Sequence, residues 1–371
     1  MKRIAVLVSN DLQHDQRVAK VCGTLHQMGG VVTLVGRKLP NSPEYTGPYQ
    51  AVRFQLPFHS GALFYAALNV RLFFYLLFTG VDIIVANDLD TLLPAFLIAK
   101  LRRKKLVYDS HEYFTEAEGL TGRNFQKSVW LGIEKWIFPR LENVITVNES
   151  IADIYRNLYH VPVHVVRNVP LLRMTPPEKS SRTELNLPPH DTIVLLQGAY
   201  IDPDRGGMEL VEAFQSLSDC ILLVIGAGRD YANMQRRAHE MGLSNVRFLG
   251  RLPYAELMRY TSVADIGVSL DKPLHLNYTL SLPNKLFDYI HAGIPVLVSD
   301  LPELRKVVHH YDLGRIVSEV SPAQIARCIE QMKNQAAQKL WRLNTERAKN
   351  ELNWQQESKV IQKIYGPLFN S

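Results

Sequence analysis

Short apolar runs rich in β-branched residues alternate with longer runs of helical period along the whole chain. In the first half, RIAVLVS predicts a strand, DQRVAKVCGTLHQMGG a helix stopped by glycines, and VVTLVG a second strand. An irregular segment containing AVRFQLP follows, then a very apolar helix. VDIIVAND, KLVYDS, NVITVN and VPVHVVRN predict further strands, separated by helical DTLLPAFLIAKLRR, NFQKSVWLGIEKWIFPRL and ESIADIYRNLY. Residues 169–191 hold five prolines and little periodicity, so they predict a linker. The alternation then restarts with TIVLLQG, CILLVIGAG, NVRFLG, ADIGVSL, GIPVLVSD and GRIVS. Helical segments from Pro322 to Gln356 and a final ESKVIQKIYGPLF close the chain. The expectation is α/β: two tandem doubly wound, Rossmann-like domains, residues 1–168 and 169–354.

In open parallel sheets ligands bind beyond the carboxyl ends of the strands. Two such domains facing each other would offer the cleft between them. Residues just after strands therefore matter most. The first strand ends in SNDLQHDQRV, with no glycine between Met1 and Cys22, which argues against a dinucleotide fingerprint. Asp15 reads as a helix cap and Arg17 as a surface charge. Asp88 and Asp90 have the spacing of a cation-holding pair, yet capping of the next helix fits them better. VYDSHEYFTEAEGL crowds Asp109, Ser110, His111, Glu112 and Glu116 at one strand end; His111 is a site candidate, with Asp109 and Glu112 beside it. In the second half Gly198 ends a strand and Arg205, Gly206 and Gly207 open a helix, an arrangement suited to an anion, though a plain turn has the same pattern. Gly226 and Gly228 are a weaker signal of a tight turn after a strand.

The stretch SLPNKLFDYIHAGIPVLVSD places Lys285 and Asp288 one turn apart on a helix that enters a buried strand. As a surface pair they would contribute only about 0.2–0.5 kcal/mol. At strand ends, after the long loop DKPLHLNYTLSLPN, the helix N-terminus and Lys285 would instead hold a diphosphate. Asp288 would accept hydrogen bonds from sugar hydroxyls.

Composition narrows the picture. The 371 residues are 46% hydrophobic and 21% charged with net charge +6, ordinary for a globular chain with a mild preference for anions. No Lys/Arg block with interleaved aromatics points to nucleic acid. Three scattered cysteines suit a reducing, cytoplasmic compartment and form no metal motif. Residues 62–86 are the most apolar region, but Asn69, Arg71 and Gly80 interrupt them. A buried or interfacial helix fits better than a span. With the basic balance, it predicts peripheral contact with an anionic inner leaflet.

Three stretches carry a resemblance: SLPNKLFDYIHAGIPVLVSDLPE, QGAYIDPDRGGMELVEAF and VYDSHEYFTE. Together they resemble the retaining glycosyltransferases of family 4, which have the GT-B fold, and the similarity covers nearly the whole chain. RNVP resembles that family's interdomain hinge. The closing segment resembles its last helix, expected at about 355–371 to pack back on the first domain. The resemblance implies that Arg205 and Lys285 hold the donor diphosphate, that Asp288 binds the ribose, and that His111 reaches the transferred sugar. It adds Gly198, Gly206 and Asn284 to the donor site, and Arg251 and Leu252 in the loop whose backbone reads the base. Departures are Leu280 and Ala199, at positions where the family carries a glutamate and an arginine. The expected activity is metal-independent transfer of a sugar from a nucleotide diphosphate-sugar to a glycan or lipid-linked acceptor. No cofactor is expected, since the donor is a substrate. The alternatives are a non-catalytic sugar-nucleotide-binding subunit or an epimerase on the same fold.

Overall fold

The computed structural model describes residues 1–370 except 14, 117, 121 and 173–179. The chain divides into two compact units, Met1–Asn168 with Gln356–Ser371, and Val169–Gln355. In the first unit the strands are β1 (Arg3–Leu7), β2 (Val31–Lys38), β3 (Gln50–Gln55), β4 (Ile83–Asn87), β5 (Lys105–Ser110), β6 (Val144–Thr146) and β7 (Val163–Val165). They form one sheet in the order β3-β2-β1-β4-β5-β6-β7, and every pairing in it is parallel. In the second unit β8 (Thr192–Gly198), β9 (Cys220–Gly226), β10 (Val246–Gly250), β11 (Ile266–Ser269), β12 (Val296–Ser299) and β13 (Gly314–Val317) run in the order β10-β9-β8-β11-β12-β13.

Parallel sheets are covered by helices on both faces, so their central strands are continuous apolar runs. IIVAN in β4 and CILLVIG in β9 are buried at every position. The strand order reverses between β1 and β4 in one sheet and between β8 and β11 in the other. Each reversal opens a crevice beyond the strand ends, which is where polar groups gather in both units.

Two segments differ from the sequence reading. AVRFQLP contributes to the edge strand β3, which pairs only with β2 and buries only Phe54. Polar residues on both faces leave such an edge without an alternating signal. The long loop after β11 contains a single helical turn, Leu276–Thr279.

The Asn284–Ala292 helix is fixed in register by its neighbour in sequence to Asp288. Tyr289 is fully buried, and its hydroxyl lies 3.2 Å from the Leu195 and Val268 carbonyls and 3.3 Å from the Gln197 N–H. A Cβ on Gly267 would come within 2.4 Å of that ring, so glycine in β11 is what lets the helix approach. Gly293, at φ 77°, ends the helix in the left-handed conformation and turns the chain into β12.

Candidate donor and sugar sites at the strand ends

In the second unit the site begins where β8 ends. Gly206, at φ 67°, lies between the Pro203–Arg205 turn and the Gly207–Ala213 helix. A Cβ there would meet the Leu270 carbonyl at 2.4 Å, so this loop packs against the end of β11 only because position 206 is glycine. That contact brings Arg205 to Asp271. Its Nη1 donates to Asp271 Oδ1 at 2.9 Å, and the guanidinium sits 4.2 Å from the centre of the Tyr278 ring. Asp271 is fully buried. Arg205 Nε and Asp271 Oδ2 are both buried without a hydrogen-bond partner, an incomplete pairing of the sort that marks a place for another group.

Lys285 is half-buried in the first turn of the Asn284–Ala292 helix. Burial holds its ammonium below the ordinary lysine pKa; Asp271 opposes this, and Arg205 adds to it. Among the described residues none accepts a hydrogen bond from it within reach. The ammonium therefore stands at a helix N-terminus, beside a second cation, with Asp271 as the nearby negative charge but no acceptor in direct contact among the described residues. One turn on, Asp288 is held from two sides: Oδ2 accepts from Gln197 Nε2 at 3.0 Å and Oδ1 from the Tyr254 hydroxyl at 2.8 Å. Gln197 is itself buried at the end of β8.

The other residues expected at the donor site lie on the elements around this arrangement. Gly198 closes β8, and Asn284 is exposed at the helix start. Arg251 is exposed, donates to the Ala199 carbonyl at 3.3 Å and lies 5.7 Å from the Tyr200 ring. Leu252 packs on the apolar core. Tyr254, two residues on, links this segment to Asp288.

In the first unit a charged cluster lies at the ends of β4 and β5. Asp109 is buried and takes three hydrogen bonds from Arg17, the shortest at 2.6 Å. Arg17 is no surface charge: it is 2% exposed and also donates to the Val166 carbonyl at 2.5 Å. Asp15 does cap its helix, accepting from the Val18 N–H. Asp88 occupies the N-cap position of the Leu89–Leu101 helix but makes no capping bond. Its Oδ1 accepts the His111 N–H at 2.8 Å, and Oδ2 lies 3.6 Å from His111 Nδ1. The backbone at Asp88, φ 58° and ψ 168°, is a conformation that non-glycine residues rarely adopt, costing on the order of 1–3 kcal/mol. Asp90 is buried, with Oδ1 unpartnered.

These contacts decide the charge of His111. Asn87 donates its amide to the Leu7 carbonyl at 2.9 Å, so its Oδ1 is the atom facing His111 Nε2 at 3.1 Å. That nitrogen must donate. The other faces Asp88, and Asp109 Oδ2 lies 3.8 Å from Nε2. Asn87 and two carboxylates face the ring, which favours a proton on both nitrogens. Burial alone would discharge the ring, but Asp88 and Asp109 outweigh it and raise its pKa to about 9. Asp109 moves the other way: against its burial, Arg17 and His111 hold it down at about 2. Desolvation pushes Asp88 up to about 7 and Asp90 to about 6. Glu112 is half-buried, its carbonyl accepting from Ser110 Oγ.

Sequence reasoning missed Asp271, Gln197, Tyr254, Asn87 and the roles of Arg17 and Asp88. Asp271 had a signal: it is the first charged residue after β11. Arg17 had none, because its partner lies 92 residues away.

Two family models match the chain, Glycosyltransferase Family 4 over residues 16–169 and Glycosyl transferases group 1 over residues 179–350. The chain belongs to the family 4 glycosyltransferases. This family 4 chain is 33% identical over 110 residues to a GDP-mannose-dependent monoacylated alpha-(1-6)-phosphatidylinositol monomannoside mannosyltransferase of Corynebacterium glutamicum, a match that spans 28% of this chain and 29% of that protein. It is 21% identical over 317 residues to an uncharacterized glycosyltransferase of Methanocaldococcus jannaschii, covering 81% of this chain and 79% of the relative. Among solved structures, sucrose-phosphate synthase from Thermosynechococcus elongatus superposes with a TM-score of 0.82 at 20% identity, over all of both chains. Anabaena HepE in complex with UDP-glucose gives 0.73 at 14% identity, again over both whole chains. The family 4 chain thus has the GT-B fold, two doubly wound parallel-sheet domains.

Proposed function

We propose that this protein transfers a sugar from a nucleotide diphosphate-sugar to a glycan or lipid-linked acceptor, in glycan or glycolipid biosynthesis. The observation that carries the reading is Lys285: a half-buried ammonium at a helix N-terminus, with no acceptor of its own among the described residues, beside the Arg205 fork on Asp271. A diphosphate is the anion such a site lacks. The names of the relatives support this donor class, since one is GDP-mannose-dependent and another was solved with UDP-glucose.

In this reading the bond between the anomeric carbon and the phosphate oxygen breaks through an oxocarbenium-like transition state. Negative charge grows on the departing diphosphate, and Arg205 and Lys285 stabilise it. Asp288, steadied by Gln197 and Tyr254, accepts from the ribose hydroxyls. The departing phosphate oxygen takes the acceptor's proton on the same face of the sugar, so the anomeric configuration is retained. His111 supplies a fixed positive charge toward the sugar and, with both nitrogens facing acceptors, is not the base. No metal ion or cofactor is needed, because two side-chain cations serve the diphosphate. The three cysteines, all free and buried, fit the proposed cytoplasmic location.

The test is a thermal-shift panel of UDP-, GDP- and other sugar nucleotides, followed by transfer assays in excess EDTA. A donor at 100 times its Kd should stabilise by about 2.7 kcal/mol. The reading fails if no sugar nucleotide stabilises the protein. Metal independence fails if EDTA abolishes transfer and manganese or magnesium restores it.

A further inference from the structure

The Gly61–Phe78 helix is the one helix among the described residues long and apolar enough to cross a membrane by length and composition. It buries Phe64, Leu68, Leu72 and Leu76, one side chain per turn. Leu63, Val70, Phe74 and Phe78 point outward, with Phe78 81% exposed. A helix covering a sheet normally turns a polar face to water. Here the outer face holds one charged residue, Arg71.

Its neighbours repeat the anomaly. The Leu89–Leu101 helix exposes Leu97 and Leu101, and the Asn124–Ile137 helix exposes Phe125, Val129 and Trp136. The three lie side by side. Arg102, just beyond the second, donates to the Leu76 carbonyl of the first; Phe96 meets the Trp136 ring at 5.5 Å, and Tyr65 meets Trp130 at 5.3 Å. Charge on these helices is equally one-sided. Both acids, Asp90 and Glu134, are buried, while Lys100 and Lys135 are exposed. The run Arg102-Arg103-Lys104-Lys105 follows directly. The nearby carboxylates Asp82 and Glu116 are already paired, with Lys104 and Lys127; Glu142, just beyond the third helix, is exposed.

We propose that this three-helix face of the first unit docks on an anionic lipid surface, lying in the interface plane rather than crossing it. Crossing is opposed by the buried stripe, and by the Asn69 amide, which donates to the Asp90 carbonyl at 2.8 Å and ties the helix to its neighbour. A second copy of the chain is a poorer partner, because a two-fold contact would set two copies of the same basic face against each other. Anionic headgroups neutralise the basic groups while Phe74, Phe78 and Trp136 enter the acyl boundary. The proposal is independent of the glycosyl-transfer reading, since vesicle binding needs no substrate.

The test is sedimentation of the full chain with phosphatidylcholine vesicles, with and without phosphatidylglycerol, at low and high salt. Binding should require the anionic lipid and weaken at high salt. The double variant Phe74→Ser/Phe78→Ser should lose about tenfold or more in affinity, as expected from the lost apolar burial. Trp130, Trp341 and Trp354 are buried, so a blue shift of emission on vesicles should come from Trp136 and vanish in Trp136→Phe. Should the serine variant misfold by circular dichroism, Lys100→Glu/Arg103→Glu carries the same expectation. Absence of binding at low salt, equal binding to neutral vesicles, or wild-type binding by the variants would overturn the proposal. So would a concentration-dependent dimer that does not bind vesicles.

Discussion

Lys285→Met separates a donor-binding lysine from a structural one, because the two readings give opposite signs. The ammonium is held below its ordinary pKa by burial and by Arg205, and it lacks an acceptor among the described residues. Methionine keeps the apolar stem and removes the charge. The ligand-free protein should therefore keep or gain stability, whereas most substitutions cost about 0.5–3 kcal/mol. Turnover should fall about 10²–10³-fold, the effect of losing one preorganised electrostatic contact to a developing charge. The donor titration gives a second handle. At a nucleoside diphosphate concentration 100 times the wild-type Kd, stabilisation is about 2.7 kcal/mol; a hundredfold weaker variant retains about 0.4. The pH dependence has a definite sign as well. With the folded pKa below 10.5, the unfolded chain binds more protons between the two values, so wild-type stability gains from this group as pH climbs through that window. The variant should lack that gain. Thermal unfolding with and without ligand, together with steady-state kinetics, measures all of this. A loss above about 2 kcal/mol with wild-type kcat would make Lys285 a structural residue and refute the reasoning.

Three further outcomes follow from the contacts. Asp288→Ala should raise the donor KM and, by stranding Gln197 Nε2, cost about 1–3 kcal/mol in urea; Tyr254→Phe leaves that contact intact and should cost less. Arg17→Met takes three hydrogen bonds from the buried Asp109 carboxylate and leaves only His111 near it, for a loss of up to about 3–5 kcal/mol, and adding Asp109→Asn should recover most of it; a cost under about 1 kcal/mol would mean the buried pair does not form. His111 is raised from 6.5 to about 9, so the stability its charge contributes falls as pH rises from 6.5 through about 9. His111→Gln should flatten stability over that range; a wild-type profile already flat there contradicts the imidazolium.

What was legible in the sequence follows the reach of each physical signal. Central strands such as β4 and β9 are buried on both faces, so they show as apolar runs wherever they occur. The edge strand β3 carries Gln50, Arg53 and Gln55 and shows nothing comparable. Helical spacing places Lys285 and Asp288 on one edge of a helix, because i and i+3 is a local relation. What locks that helix is not local. Tyr289 needs Gly267 for space and the Leu195 and Val268 carbonyls for its hydroxyl. Arg17 read as a surface charge because a charged residue early in a helix usually is one, and its burial depends on Asp109. For Asp88 the N-cap position was right and the bond was wrong. Its carboxylate turns to the His111 backbone at the end of the neighbouring strand, a pairing that only the folded sheet creates.

Asp271 bears on how the proposed donor site divides its labour. It is fully buried, pairs with Arg205 through one oxygen and leaves the other unpartnered. Half of the site's positive charge is therefore already answered, and among the described residues Lys285 is the cation without an acceptor in direct contact. With Ala199 where the family carries an arginine, the burden on Lys285 grows. Two substitutions distinguish orientation from charge. Asp271→Asn keeps an oxygen able to accept from Arg205 Nη1, so the fork stays aimed while the opposing charge disappears. That gain is largest where the diphosphate carries most charge, in the transition state, so KM for the donor should fall and kcat should hold or rise. Asp271→Ala removes the acceptor too. Arg205 then loses its orientation, and kcat should fall toward that of Arg205→Ala. Steady-state kinetics on the two variants, each checked for folding by circular dichroism, measures the split. Equal losses of kcat in both would mean that the carboxylate's charge itself, and not its hold on Arg205, serves the reaction.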